Sequence, residues 1–441
     1  MGGCNYSTNN FLVLFNMVYN FYCSKTVVHL GMAALGSVWL TACSSLLKDH
    51  DISQDSRSRV QKAVDSVRTA LEKDLGNSVP SLNLYVQTPT QAIFTSSVPA
   101  GATPFTENTN FRFASNTKTF TSTALLKMHQ DGWLDFKAKI ADNIPGTNIS
   151  YVPNTAEWDF PFKNEITIEQ LMQHSAGVYD VDNDPVPGFN GLSYTAYVQN
   201  ADPDHQFTTE EMVLQLAKNK LSYFAPTTDY HYSNTGYSIL GYIIARVYSL
   251  KSGGIKTYEN YLQDHIVGPG TKVPLALRFP VRADDTVLPA PRAEGVERTP
   301  DGKTIVFGNY NMSAQIAEGN GYGTPAALNT FIRKLMRGEH VLTPETVKLM
   351  QTDVNLKSGN QYALGCFFTP NLGFGHNGER CGTLSLAMYD PTTGVSVVAF
   401  ITLVDNSNVT NDENSTFYKS FNAIYGAAYG GRAALGYPGR P

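Results

Sequence analysis

Strand-forming sequence lies at both ends of this chain, and this separation most limits the folds that it can adopt. Near the start, residues 82–98 have the pattern of two strands around a Thr-Pro-Thr turn, with apolar residues alternating along the first. Near the end, Thr383–Tyr389 and Val395–Val404 form two more apolar stretches. Helical periodicity flanks both groups, over 60–75 and near Ser415–Tyr429. We therefore predict an α+β fold in which N- and C-terminal helices cover one antiparallel β-sheet.

The middle of the chain, at about 121–290, has a different character. Loops rich in Pro, Gly and Asn alternate there with helical stretches such as Thr209–Lys218 and Tyr237–Ser249. This pattern predicts a mainly helical, loop-rich insertion. We expect one folded domain over 53–430, followed by a Gly-rich tail at 431–441.

The N-terminal segment is unlike the rest of the chain. Residues 27–42 form an apolar run too short to span a bilayer, and the run leads into Leu40-Thr-Ala-Cys43. This ending resembles the lipobox of bacterial lipoproteins, in which the cysteine is acylated. We predict a lipoprotein signal peptide at 1–43, with Cys43 as the lipidated mature N-terminus, and a polar tether at 44–52. The protein would then be anchored to a membrane of the bacterial cell envelope; an ordinary secretory signal is the alternative.

Charge and histidine spacing argue against two classes of partner. The chain has 33 basic and 38 acidic residues, a net charge of −5, and no basic stripe that could neutralise a run of phosphates. We therefore expect no nucleic-acid partner. The nine histidines are scattered, and no metal-binding motif occurs, so we expect no metal and no cofactor. The acidic segment Asp180-Val-Asp182-Asn-Asp184 lacks the Gly and Glu of a calcium loop, and we interpret it as a solvated loop.

The first chemical motif is Ser115-Asn-Thr-Lys118. A spacing of three residues places the hydroxyl and the amine on one face of a helical turn, within reach of each other. A buried lysine with a lowered pKa can act as the base that activates a serine nucleophile. The periodicity of the following residues predicts a helix over Ser115–Gln130, opened by Ser115, whose N–H groups would favour an oxyanion. The motif alone is weak, since Ser45-Leu-Leu-Lys48 repeats it by chance.

Two further motifs supply proton-transfer and binding groups. Tyr232-Ser-Asn234 joins a phenol that can relay a proton with an amide that can hold a substrate carbonyl. His376-Asn-Gly378 precedes a predicted strand, where a cationic or proton-sharing side chain followed by Gly would let a substrate lie against the strand edge. Lys357-Ser-Gly359 competes for this role, but its flanks are those of a polar loop.

In this order, Ser-x-x-Lys, Tyr-x-Asn and His-x-Gly resemble the serine β-lactamase and penicillin-binding-protein superfamily, in its class C branch. Longer segments agree with the resemblance, including the run that starts at Phe111, the segment 169–177 and the segment 230–237. It covers about 81–428. The resemblance implies a β-lactamase/transpeptidase-like fold and catalysis through an acyl-enzyme.

The resemblance also implies roles for individual residues. The catalytic set would be Ser115 as nucleophile, Lys118 as its base, Tyr232 as proton relay to the leaving group and His376 as a group assisting that side. The substrate-binding set would be Asn234, Gly378, Glu379 and Arg380. In this set Asn234 orients the substrate amide, and the N–H groups of Ser115 and Glu379 hold the oxyanion. Arg380 would bind a terminal carboxylate, although a surface arginine is an equal alternative. Glu379 is bulky and acidic where the family has a small residue, which leaves substrate choice open.

His rather than Lys in the third motif resembles the D-alanyl-D-alanine carboxypeptidases and D-amino-acid peptidases of this superfamily more than its class C β-lactamases, which usually have Lys there. The resemblance therefore implies a serine hydrolase that acts on peptidoglycan peptides and takes β-lactams as covalent ligands. The enzyme alternatives are a class C-like β-lactamase and an esterase for small acyl substrates. A non-catalytic penicillin-binding lipoprotein is the alternative of another class.

Two cysteines remain beyond Cys43. Cys366 and Cys381 flank the His376 motif, in segments that could pair as neighbouring strands. In an oxidising compartment we expect that they could form a disulfide. Two unrelated buried thiols are the alternative.

Overall fold

Twelve strands and ten helices make up the part of the chain that the computed structural model describes, residues 49–352 and 362–441. The strands are β1 (Leu82–Gln87), β2 (Ala92–Ser97), β3 (Phe111–Arg112), β4 (Leu277–Arg278), β5 (Gly295–Arg298), β6 (Thr304–Phe307), β7 (Tyr322–Gly323), β8 (Phe367–Thr369), β9 (Gly373–Arg380), β10 (Thr383–Asp390), β11 (Val395–Ile401) and β12 (Val404–Asp405). The helices are α1 (Asp49–Leu75), α2 (Thr117–Gln130), α3 (Ile168–Met172), α4 (Tyr194–Ala201), α5 (Thr209–Asn219), α6 (Asn234–Ser252), α7 (Tyr258–Tyr261), α8 (Pro325–Met336), α9 (Pro344–Met350) and α10 (Thr416–Ala434).

Strands from both ends of the chain form the main sheet. Its six strands lie in the order β2-β1-β11-β10-β9-β8, and every neighbouring pair is antiparallel. The alternating strand β1 lies between β2 and β11, and Leu82 is opposite Ile401. The predicted antiparallel sheet is confirmed. The stretch predicted as Val395–Val404 divides, because β12 leaves the main sheet and pairs with β5 in a small one.

The two terminal helices cover one face of this sheet, as predicted. Buried residues of α1, such as Val60 and Val64, pack in one hydrophobic cluster with Ile424 of α10 and with Leu84 and Leu386 of the sheet. Helix α1 begins at Asp49, so the last residues of the segment expected to be a tether are helical. The signal peptide with Cys43, and the competing motif Lys357-Ser-Gly359, lie outside the described residues. Among the described helices, we find none that is both long and apolar enough to cross a bilayer.

The opposite face of the sheet packs on the predicted helical middle of the chain. Helix α2 is central, and nearly all of its side chains from Thr117 to Met128 are buried. The stretch Thr209–Lys218 is confirmed as α5. The other predicted helix, α6, starts three residues earlier than expected because Ser233 caps it by accepting a hydrogen bond from the N–H of Gly236.

The expected disulfide between Cys366 and Cys381 is wrong, because both thiols are free and buried in different hydrophobic clusters. The register explains why. Phe367 lies opposite Gly375 near the start of β9, whereas Cys381 follows the last residue of that strand. Six residues of extended chain span about 20 Å. A disulfide requires Cα atoms within about 7 Å.

Candidate active site

Ser115 lies in a tight turn between β3 and α2. The turn, Ala114–Asn116, is a single 3₁₀ turn, and Ala114 adopts a left-handed backbone conformation with φ of 50°. Helix α2 itself begins at Thr117, so the prediction that Ser115 opens the α-helix is off by two residues. The side chain of Ser115 makes no capping bond. Its hydroxyl is instead directed to Lys118.

Lys118 is wholly buried on the first turn of α2, and its ammonium group has four acceptors. The Nζ atom lies 3.2 Å from Ser115 Oγ, 2.7 Å from Asn234 Oδ1 and 2.9 Å from the carbonyl oxygen of Glu318. It also lies 3.4 Å from Glu318 Oε2. Burial lowers the pKa of Lys118 to about 8, although Glu318 and Asp180 oppose this shift. An amine with this pKa can serve as a general base near neutral pH.

Tyr232 lies directly above this pair, in the turn that precedes α6. Lys118 Nζ is 4.7 Å from the centroid of its ring, and its hydroxyl interacts with the side chain of Ser115. Burial raises the pKa of Tyr232 well above its ordinary value, so the phenol is neutral. His174 packs against the ring at a centroid distance of 4.2 Å and accepts a hydrogen bond from the N–H of Ser233. These contacts fix the phenol beside the serine hydroxyl.

His376 lies on β9, with its ring centroid 6.3 Å from that of Tyr232, and its imidazole is neutral. Burial lowers its pKa to about 3, with Lys118 acting in the same direction. Its Nε2 atom is 2.8 Å from the hydroxyl of Tyr362, and its Nδ1 atom lies against the carbonyl oxygen of Asn377. Of the two roles predicted for this residue, the lowered pKa favours proton sharing over the cationic one.

Alternation along β9 determines which of its side chains lie on the face towards Ser115. His376, Gly378 and Arg380 lie on the face that carries Ser385, whose hydroxyl donates to the carbonyl oxygen of Phe113 beside the serine turn. Asn377 and Glu379 lie on the other face. There Asn377 donates to the hydroxyl of Tyr425 on α10, and Glu379 is opposite Leu384. The bulky acid of Glu379 therefore lies on the face away from Ser115, and only its backbone can take part in oxyanion binding.

At Gly378, β9 packs closely against the turn that carries Ser115. A Cβ atom there would lie 2.6 Å from the carbonyl oxygen of Phe113 and 2.8 Å from the backbone nitrogen of Ser115. Both distances are shorter than real Cβ contacts, and both partners are backbone atoms that cannot rotate away. The absence of a side chain is therefore a requirement of the site.

We expect Gly378→Ala to lower the acylation rate by about a hundredfold, because the added methyl group must push the serine turn away from β9. The rate is measured with an activated ester, and thermal unfolding shows whether the fold is retained. Gly254→Ala is the matched control, since a Cβ at Gly254 would meet nothing within 4 Å. Unchanged acylation in Gly378→Ala would contradict this account of the contact.

Acidic residues that the sequence placed in a solvated loop are part of the buried site. Asp180 and Asp182 are 1% and 6% exposed, so the prediction of a solvated loop is wrong. Asp182 accepts from Asn234 Nδ2 at 2.9 Å and from Arg380 at 3.1 Å. Asp180 accepts from the N–H of Asn234 at 2.9 Å. Burial acts to raise the pKa of Asp182. The charge of Arg380 outweighs this effect, together with hydrogen bonds that include those from Thr195 and Asn234, and the pKa lies below its ordinary value.

This network changes the roles expected for two residues. Arg380 already pairs with Asp182 through one nitrogen, Nη2, so a substrate carboxylate would have to share the guanidinium with an acid of the protein. Asn234 is held between Lys118 and Asp182 by both ends of its amide. Glu318, which no sequence motif indicated, has its carboxyl group 3.4 Å from the Lys118 amine. Among the described residues we find no acidic, His or Cys cluster able to hold a metal ion.

Comparison with known proteins agrees with this architecture. A family model described as Beta-lactamase matches residues 67–416. A D-stereospecific amidohydrolase from Streptomyces sp. superposes with a TM-score of 0.62 at 21% identity, covering 83% of this chain and 98% of that one. A D-amino acid amidase from Ochrobactrum anthropi SV3 gives a TM-score of 0.62 at 19% identity, covering 86% and 98%.

Curated relatives match over a shorter stretch. A penicillin-binding protein of Bacillus subtilis is 27% identical over 167 residues, which is 38% of this chain and 30% of that protein. A fimbrial assembly protein of Dichelobacter nodosus is 30% identical over 165 residues, or 37% of this chain and 34% of that protein. This chain therefore matches about a third of the length of these relatives.

Proposed function

Because the chain belongs to the β-lactamase family of serine hydrolases, we propose that Ser115 attacks a substrate carbonyl and carries the acyl group as an ester. The observation that supports this most is the position of Lys118. Its amine is wholly buried, lies 3.2 Å from Ser115 Oγ, and has a pKa of about 8 caused by burial. A serine hydroxyl becomes an effective nucleophile when such a base takes its proton.

The other residues fit the steps of acyl transfer. Neutral Lys118 takes the hydroxyl proton as Ser115 Oγ bonds to the carbonyl carbon, and the carbonyl oxygen gains negative charge. The backbone N–H groups of Ser115 and Glu379 would hold that oxygen, at the place where Gly378 lets β9 approach the turn. Tyr232, whose hydroxyl interacts with the side chain of Ser115, would pass a proton to the leaving nitrogen as the C–N bond breaks. Water then hydrolyses the ester by the reverse proton path.

The bond that we propose as substrate is an amide of a D-amino acid. The sequence favours the D-alanyl-D-alanine carboxypeptidase form of this activity, in which Arg380 reads the terminal carboxylate of a peptidoglycan peptide. The contact between Arg380 and Asp182 favours a second form, an amidase or peptidase whose leaving group carries no carboxylate. In that form, the acidic groups around Asn234 would disfavour an anionic leaving group.

Two substrates that differ only in their C-terminal group, an amide or a free carboxylate, distinguish the carboxypeptidase form from the amidase form. We expect an acyl-D-Ala-D-Ala peptide amide to be cleaved at least as fast as the corresponding free acid, since Asp182 already neutralises Arg380. The measurement is kcat/KM from release of D-alaninamide or D-alanine, with the L-Ala-L-Ala peptides as stereochemical controls. A preference of about tenfold or more for the free acid would establish the carboxypeptidase form instead. Nitrocefin and short acyl esters in the same panel test the β-lactamase and esterase alternatives.

A further inference from the structure

Glu318 brings a second charged group to the catalytic base. The residue is 2% exposed, and it presents both its backbone carbonyl oxygen and its carboxylate to Lys118 Nζ. Its other carboxylate oxygen, Oε1, is buried and has no hydrogen-bond partner among the described residues. The loop that carries it is fixed to α2, since Thr121 donates to the carbonyl oxygen of Ala317. The backbone of this loop therefore holds Glu318 beside Lys118, in addition to the ion pair between the two side chains.

Burial makes the two groups similar in proton affinity. It raises the pKa of Glu318 to about 8 and lowers that of Lys118 to about 8. Several other charged or titratable groups face this pair from other elements: Asp180, Asp182, Arg380, His174, His376 and Tyr232. Both histidines are neutral because burial lowers their pKa values. The Tyr232 phenol is neutral because burial raises its pKa. When Glu318 is ionised, its carboxylate is the negative charge in direct contact with the Lys118 amine, because Oε2 lies 3.4 Å from Nζ.

We propose that Glu318 is a positioning residue for the reaction, which stabilises the ammonium form of Lys118 and so sets the pH above which Ser115 can be activated. This inference rests on the proposed role of Ser115 and Lys118. In the acylation step the O–H bond of Ser115 breaks, a new N–H bond forms on Lys118, and the Oγ–carbonyl bond closes. The positive charge that appears on Lys118 is compensated by Glu318 until Tyr232 delivers a proton to the leaving group and Lys118 returns one to Tyr232.

The proposal predicts the direction of a pH shift. Below its pKa Lys118 is protonated and cannot take the serine proton, so acylation by the wild-type protein should rise with pH through about 8. In Glu318→Gln the ammonium loses its contacting counter-charge, and the midpoint of the rise should move down by about one pH unit or more. At high pH the weaker base should also lower the limiting rate, by about tenfold or less. KM for an activated ester should change little, because Glu318 contacts the base and not the substrate.

The experiment follows covalent acylation of Ser115 from pH 5.5 to 10 with an activated ester. Glu318→Asp keeps the charge and should retain the wild-type midpoint more closely than Glu318→Gln. Glu339→Gln is the matched control, since Glu339 is an exposed acid paired with Arg337 and should leave the whole profile unchanged. If Glu318→Gln does not fold, a ¹³C-labelled lysine titration of the wild-type and Glu318→Asp proteins measures the same midpoint directly. The wild-type protein should then show one lysine titrating near pH 8.

Two outcomes would overturn the proposal. A folded Glu318→Gln protein that acylates more slowly with the wild-type midpoint would show that Glu318 shapes the site without stabilising the ammonium form of Lys118. A lysine titration of the wild-type protein without a midpoint near pH 8 would show that Glu318 does not set the protonation of Lys118. Failure of the proposed function looks different, because the wild-type protein would then form no adduct on Ser115 at any pH.

Discussion

Ser115→Ala protein is expected to form no covalent adduct with penicillin or with a slow ester, and to lose turnover by about a thousandfold or more. In the proposed mechanism the hydroxyl is the group that carries the acyl chain, so nothing in the site would replace it. The fold should persist, because Lys118 keeps its contacts with Asn234 and Glu318 when the serine oxygen is absent. The variant should therefore still bind ligand reversibly. Intact-protein and peptide mass spectrometry locate the adduct in the wild-type protein, and fluorescent penicillin gives an independent readout.

Ser66→Ala is the matched control for this experiment, since Ser66 is an exposed serine on α1 whose hydroxyl bonds only to the helix backbone at Lys62. It should label like the wild-type protein. An adduct on Ser175 or Ser233, or full turnover by Ser115→Ala, would refute the assignment of the nucleophile. Adducts without turnover of any substrate in the panel would instead support a penicillin-binding protein that is not a hydrolase.

Lys118→Met should lower the acylation rate by about 10²–10⁴-fold, the range typical for loss of a general base. Methionine is preferable to alanine here, because Lys118 is wholly buried and its amine packs over the rings of Tyr232 and Tyr237. An alanine would add a cavity to the loss of the amine. The residual activity should also lose the rise through about pH 8 that belongs to the lysine.

The lysine experiment is read from kcat/KM against pH, together with thermal unfolding of each variant. Lys127→Met is the matched control on the same helix, where the amine is paired with Asp131 and lies two to three turns away. It should keep both the rate and the pH profile. If Lys118→Met retained the wild-type profile, the base would have to be another group.

The local parts of the site could be predicted from the sequence because they follow from helix periodicity and motif order. Ser115 and Lys118 are three residues apart, and a helical turn brings such residues together whatever the rest of the fold. Tyr232, Asn234 and His376 required the resemblance to a family, since only tertiary structure brings them to the same place.

Contacts between distant segments could not be predicted in this way. Glu318 lies 200 positions from Lys118, and Arg380 lies 198 from Asp182. A single acidic residue in a loop gives no periodic signal that it will be buried against a cation. The same limit explains the wrong disulfide, because it depended on a strand register between Cys366 and Cys381 that only the structure shows. It also explains the charge of His376, which burial and not residue type determines.

The sheet described above is closed by strands from opposite ends of the chain, and this arrangement governs when reactivity can arise. Strand β1 has no partner on its inner side until β11 has been synthesised, and β9 lies against the serine turn at Gly378. Long loops must therefore close before the pairing contributes any stability, which makes folding slow compared with a protein of local contacts. A nascent chain that lacks its last strands already contains Ser115 and Lys118. It nevertheless lacks β9, against which the turn that carries Ser115 packs. We therefore expect acylating activity to appear only when the whole sheet has formed.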